Sequence, residues 1–173
     1  MNASLNTPLP KLKNVSSGFT LIELMVTIAV LAIIVSIAAP NISTQLANQR
    51  VKSTAATVAN ALKEAKVESI IRRQNITVLY DTASTPKKIV LHTGTANTSS
   101  TNISSYSINN QSVITQVISP STVKTIVFRP SKSIDNGATA TYTICDSSSN
   151  NETPKQVSLT TIANVYTTSA GSC

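Results

Sequence analysis

The chain has 173 residues, with 14 Lys or Arg against 7 Asp or Glu, which gives a formal charge of +7 and a pI of about 9.7. A basic balance admits anionic partners such as nucleic acid or lipid headgroups, but with no Trp, two Phe and four Tyr there is little from which to build a base-stacking surface, and the core has to be aliphatic. A single histidine, four glycines and the absence of metal-ligand or phosphate-loop spacing exclude the usual catalytic and cofactor-binding constellations, so no enzyme activity, metal or cofactor is expected.

Residues 1–18 read "MNASLNTPLPKLKNVSSG", a polar leader whose only charges are Lys11 and Lys13. From Phe19 to Ala39 follows an apolar run in which Glu23 is the only ionisable side chain. As a helix it spans roughly 30 Å, enough to cross a bilayer. Positive residues ahead of a first apolar span stay cytoplasmic, so the remainder of the chain is expected outside. A cleaved secretory signal has a shorter apolar core and no carboxylate within it. A plain membrane anchor leaves Glu23 as a cost of about 2.5 to 3.5 kcal/mol near a bilayer centre, less towards the interface. An intramembrane carboxylate therefore asks for a partner.

Pro40 closes the apolar run and predicts a kink or a locally melted turn, since proline removes a helical hydrogen bond and clashes with the preceding turn. Residues 41–73, "NISTQLANQRVKSTAATVANALKEAKVESIIRR", contain neither Gly nor Pro and predict a continuing helix. Val51, Ala55, Val58, Leu62 and Ala65 recur at steps of four and three, an apolar stripe for a sheet to cover. Lys63, Glu64, Lys66 and Glu68 are expected on the solvated side.

Beyond Arg73 the period changes to two and the composition to Val, Ile, Thr and Ser. Strands are predicted at 76–80, 88–92, 105–108, 112–119, 123–128, 139–145, 155–160 and 162–167. The turns between them fall at 84–86, 109–110, 119–121, "RPSKSIDNG" (129–137) and "DSSSNNETP" (146–154), and "TGTANTSSTN" (93–102) is expected to be a mobile loop. His92 ends a strand and is expected at the surface, and Asp81, Asp135, Asp146 and Glu152 fall in turns. The fold class is α+β: a long N-terminal helix, apolar then amphipathic with Pro40 between, packed on an antiparallel sheet. The organisation is a leader at 1–18, a membrane or filament-core helix at 19–40, and one globular domain at 41–173 with its helix at 41–73 and its strands at 76–173. Cys145 and Cys173 make an even pair. In an oxidising compartment they form a disulfide, closing a loop of about 29 residues for roughly 3 to 4 kcal/mol; in the cytosol they remain two free thiols.

The stretch "GFTLIEL" from Gly18 to Leu24 resembles the processing and assembly signature of type IV prepilins and type II secretion pseudopilins. The resemblance implies that a prepilin peptidase cuts after Gly18 and methylates the new N-terminal residue, Phe19. It also implies that Glu23 neutralises the Phe19 amine of a neighbouring subunit when the helices stack into a filament. A paired charge is tolerated in a low-dielectric bundle where an unpaired one is not. "EAKVESIIRRQNITVLY", "IVFRPSKSIDNGATATYTIC" and the cysteine-bounded tail are similar to the GspH/FimT family of minor pilins and pseudopilins, with a FimU-type subunit as the nearest kind. What this implies is a structural subunit that helps initiate assembly and sits at or near the tip of a pilus serving twitching motility, adhesion or DNA uptake. Its partners would be other major and minor pilins, the prepilin peptidase and, before assembly, the inner membrane, with the globular domain first periplasmic and then extracellular. Two alternatives share the fold: a type II secretion minor pseudopilin, and a DNA-binding minor pilin for natural transformation. The FimT branch carries a Gly- and Arg-rich tail for DNA, but here Lys155 is the only basic residue between the cysteines. A weak DNA contact would have to come from Lys87, Lys88, Lys124, Arg129 and Lys132, if folding gathers them.

Overall fold

The structure, a computed structural model, describes residues 18–94 and 101–173, and at 38–41 the backbone alone. Helical backbone, α1, runs over Leu21–Arg72. Contacts divide the chain into two units, Met1–Ala39 and Pro40–Cys173. The kink predicted at Pro40 falls outside the residues whose side chains are described, and the loop predicted at 93–102 falls mostly at 95–100, likewise outside.

In the first unit the described apolar side chains from Phe19 to Ile37 are all exposed, Phe19 by 80% and Leu21 by 76%. Thr27 Oγ1 donates to Leu24 O (2.8 Å) and Ser36 Oγ to Ile33 O (2.7 Å), so both hydroxyls are satisfied within the helix, as an apolar medium requires. Among the described residues no single helix is long and apolar enough to cross a membrane; Leu21–Ile37 meets that measure only together with Ile42–Arg72.

The second unit is α+β. Its eight strands are β1 (Ile76–Asp81), β2 (Lys88–Thr93), β3 (Asn102–Ser107), β4 (Ser112–Ser119), β5 (Ile126–Phe128), β6 (Thr139–Asp146), β7 (Lys155–Leu159) and β8 (Val165–Ser169). The expected single sheet is two: β3-β2-β1-β5 and β4-β6-β7-β8, each antiparallel throughout. Both present aliphatic faces to the helix. Val51, Ala55, Val58, Leu62 and Ala65 are at most 2% exposed and pack with Ile76, Val78, Ile89, Leu91, Ile126 and Phe128 of one sheet and Ala140, Tyr142, Ile144, Val157 and Leu159 of the other. The many alanines on the helix let both sheets approach closely.

Three strand boundaries move, each for a hydrogen-bonding reason. β3 starts at Asn102 rather than Ser105 because its polar residues pair with β2 across a bulge at Leu91/His92. β5 shrinks to three residues because only these pair with β1. Residues 162–164 form a turn instead of a strand, with the Ala163 N–H donating to Thr160 O (2.9 Å) and the Thr160 N–H to Asn164 O (3.0 Å).

Candidate functional site

At the start of the first unit, Gly18, Phe19 and Thr20 precede the helix without regular structure. Thr20 caps it: the Glu23 N–H donates to Thr20 Oγ1 (3.2 Å) and the Leu24 N–H makes the first intrahelical bond to Thr20 O (3.2 Å). Thr20 and Glu23 thus stand in the Thr-x-x-Glu spacing of a capping box, with a carboxylate in the first turn, where the helix dipole favours a negative charge. Sequence reasoning missed this cap, although its signature lies inside "GFTLIEL". Glu23 is exposed and has no partner within the chain among the described residues. A Cβ added at Gly18 would meet nothing within 4 Å, so local packing does not demand a glycine there.

In the second unit the end of β6 and the tail form a connected group. Cys145 and Cys173 are joined by a disulfide with Cα atoms 6.1 Å apart. The next residue, Asp146, is not the solvated turn residue expected: its side chain is fully buried and takes Arg50 Nε on Oδ2 (2.6 Å) and Arg50 Nη2 on Oδ1 (3.1 Å). Ser148 adds its N–H (2.9 Å) and hydroxyl to Oδ1 and also receives Arg50 Nη2 on its own Oγ (2.7 Å). The Arg50 guanidinium, seconded by Ser148, holds the Asp146 carboxyl down at about 2, against the burial that pushes it up. Asn48 Oδ1 accepts the Thr153 N–H (2.7 Å), so a single turn of helix is tied to the 146–154 loop through two residues. Glu152 folds back under that loop: Oε1 accepts the Asp146 N–H (3.1 Å), and Oε2 is buried without a hydrogen-bond partner. Cys145, Glu152 and Cys173 bring their ligand-type atoms within 4.8 Å of one another, but both sulfurs are spent on each other and offer no thiolate to a metal.

Three helix-surface residues expected in solvent are half-buried and engaged. Glu64 Oε1 accepts Ser104 Oγ (2.6 Å), Lys66 donates to Asn164 Oδ1 (3.4 Å) and Glu68 pairs with Arg72. Lys63 is exposed as expected. His92 is half-buried rather than on the surface, opposite Thr77 in the sheet, and its Nδ1 has no hydrogen-bond partner.

The cations considered for DNA are separated. Lys88 lies opposite Asp81 at one end of β1, and the neighbouring carbonyl of Lys87 accepts the Ile108 N–H (2.8 Å) beside helix residues 49–57. Arg129 follows β5 at the other end of β1, where its carbonyl accepts Ser69 Oγ (3.3 Å), and Lys132 is three residues on. Lys124 precedes β5 on the Lys87 side. Residues 54 and 69 of the helix alone span about 22 Å. The five do not make one patch, because β1 and β5 run antiparallel between them.

Comparison with known proteins adds three findings. Residues 13–39 match the model of the prokaryotic N-terminal methylation motif. No curated protein matches the chain. The globular fold is similar to two crystal forms of the type IV minor pilin FimU of Pseudomonas aeruginosa, both 14% identical. One has a TM-score of 0.58 over 72% of this chain and 96% of that one, the other 0.55 over 70% and 98%. The chain thus carries a prokaryotic N-terminal methylation motif ahead of a domain with the fold of this minor pilin. The minor pseudopilin EpsH of the type 2 secretion system of Vibrio cholerae is similar too, with a TM-score of 0.56 at 12% identity over 70% of this chain and 98% of that one. The domain therefore has a fold shared by a minor pilin and a minor pseudopilin.

Proposed function

We propose that the chain is a minor type IV pilin, a structural subunit that helps initiate pilus assembly and resides at or near the tip. The observation that carries the reading is the methylation motif with Glu23 in the first turn of an otherwise exposed apolar helix, joined to a FimU-like domain. On this reading a prepilin peptidase cleaves between Gly18 and Phe19 and methylates Phe19. The glycine that packing does not explain is explained by the peptidase, whose subsite a side chain would obstruct. Glu23 meets the Phe19 amine of the next subunit, two charges neutralised where neither could stay alone. The membrane holds the subunit, with its globular domain in the periplasm, until pilins of other kinds take over the apolar face and the assembled pilus carries the domain outside.

Co-expression with a prepilin peptidase and mass spectrometry of the N-terminus tests the processing step. N-methyl-Phe19 is expected from the parent chain, and uncleaved chain from Gly18→Val. Glu23→Ala is expected to be processed yet absent from sheared pili. A processed parent chain that never enters pili, in cells whose protein secretion fails when it is deleted, would replace the pilus reading with the type II secretion one, which the likeness to EpsH keeps in view. The DNA-uptake reading has less support, since Lys155 is the only basic residue between the cysteines and Lys87, Lys88 and Lys124 lie apart from Arg129 and Lys132.

A further inference from the structure

We infer that the end of the globular unit at which the helix stops is a docking surface for an acidic, partly apolar polypeptide segment. Three pieces of chain interlock there. Ser69 Oγ donates to Arg129 O (3.3 Å), Lys66 Nζ to Asn164 Oδ1 (3.4 Å), and the Ile134 N–H to Thr161 O (2.9 Å), joining the helix end to the loops 129–137 and 160–164. All four non-glycine residues with left-handed backbone among those described lie in these pieces: Arg73 (φ 53°), Lys132 (64°), Asn136 (55°) and Ala163 (56°). Left-handed backbone is disfavoured for Arg, Lys and Ala and persists where the surroundings fix it, so these side chains leave the surface in set directions.

The charge there is unbalanced. Glu68 and Asp135 are the carboxylates of these pieces, and each is already paired, with Arg72 and Arg129 respectively. Lys66, Arg73 and Lys132 have no carboxylate within 4 Å among the described residues. The last carbonyls of the helix favour cations but complete none of these pairs. Lys66 and Ile70, at i and i+4, share a helix face, and Arg73 follows immediately after the helix end. Ile70 is 37% exposed and Ile162, on the adjoining loop, 61%.

This mixture chooses the occupant. A phosphate backbone would satisfy the three cations but would gain nothing from two exposed isoleucines. A single strand of nucleic acid would need aromatic faces, and Phe128, beside Arg129, is fully buried. An acidic segment carrying aliphatic side chains satisfies the cations and covers the isoleucines together. The inference does not depend on the pilus reading, because it rests on the surface of the globular unit alone.

The test uses the full chain in detergent micelles and three labelled probes: a short peptide of alternating Glu and Leu, oligo-Glu of the same charge, and a short DNA duplex. The Glu/Leu peptide is expected to bind most tightly and to weaken with salt. Arg73→Asn with Lys132→Asn removes both charges while asparagine suits the left-handed backbone, and should raise its Kd about tenfold. Ile162→Ser should raise it about fivefold, and Lys87→Glu at the far end should leave it unchanged. Equal binding of oligo-Glu would overturn the apolar half of the proposal. Tighter binding of duplex DNA, indifferent to Ile162→Ser, would replace the proposal with a phosphate site. Peptide binding that survives both sets of substitutions would end it.

Discussion

A carboxylate in an apolar helix can be held by what it caps as well as by what it pairs with. Glu23 sits where the helix dipole lowers the cost of its charge, and Thr20 takes its N–H. Asp146 shows the opposite arrangement, a buried carboxylate whose partner is built in. Its folded pKa, about 2, lies below the usual aspartate value of 3.8. It therefore contributes stability in full above about pH 4, and that contribution is lost as the pH falls through the folded value, amounting to roughly 2 kcal/mol. Urea unfolding at pH 7 and at pH 2.5 should show this acid loss in the parent chain and a reduced one in Asp146→Ala. At pH 7 that variant should be destabilised by about 3 kcal/mol, because it strands Arg50 and unties the loop. His92 is predicted to behave differently. Its Nδ1 is buried without a partner, so His92→Leu should leave stability unchanged or raise it by up to about 1 kcal/mol, read as a shift in the same urea midpoint.

The helix is the element on which both sheets depend. Leu62, 1% exposed at its centre, touches the common core, and Leu62→Ala should cost about 2 to 5 kcal/mol in urea unfolding. The helix and its inward face were legible in the sequence because apolar side chains at steps of four and three leave no second interpretation over about four turns. β4 has the predicted bounds, Ser112 to Ser119, because its β-branched residues lie between turn signals; alternation appears only in its burial, since Val113-Ile114 and Val117-Ile118 are apolar pairs in the sequence. The start of β3 was not, since Asn102 and Ser104 carry turn-type side chains and become a strand only because β2 offers hydrogen bonds. The division into two sheets was equally hidden: alternation gives the face of a strand but not the neighbour beside it. Among site residues, Gly18, Phe19 and Glu23 stood out as local pattern. Arg50 with Asp146 did not, because the two are 96 positions apart and nothing in "NQRV" or "ICDSS" announces a meeting.

At the scale of the molecule, the chain is written for two solvents. The first unit exposes nearly every apolar side chain it has, while the second buries one aliphatic core between a helix and two sheets. The disulfide belongs to the second. Replacing Cys145 and Cys173 together by Ser should lower its stability by about 3 kcal/mol without moving any other core residue, measured by urea unfolding beside the parent under oxidising conditions. The Arg50–Asp146 pair and the Asn48–Thr153 hydrogen bond make one more property of this unit visible. A pull along the helix does not fall first on the aliphatic stripe, where side chains can slide past one another. It passes through Arg50 and Asn48 into the end of β6 and the loop beyond, one residue from a covalent bond to the tail. Tension is thereby delivered beside the disulfide, at the end of a strand held on both sides, by β4 and by β7.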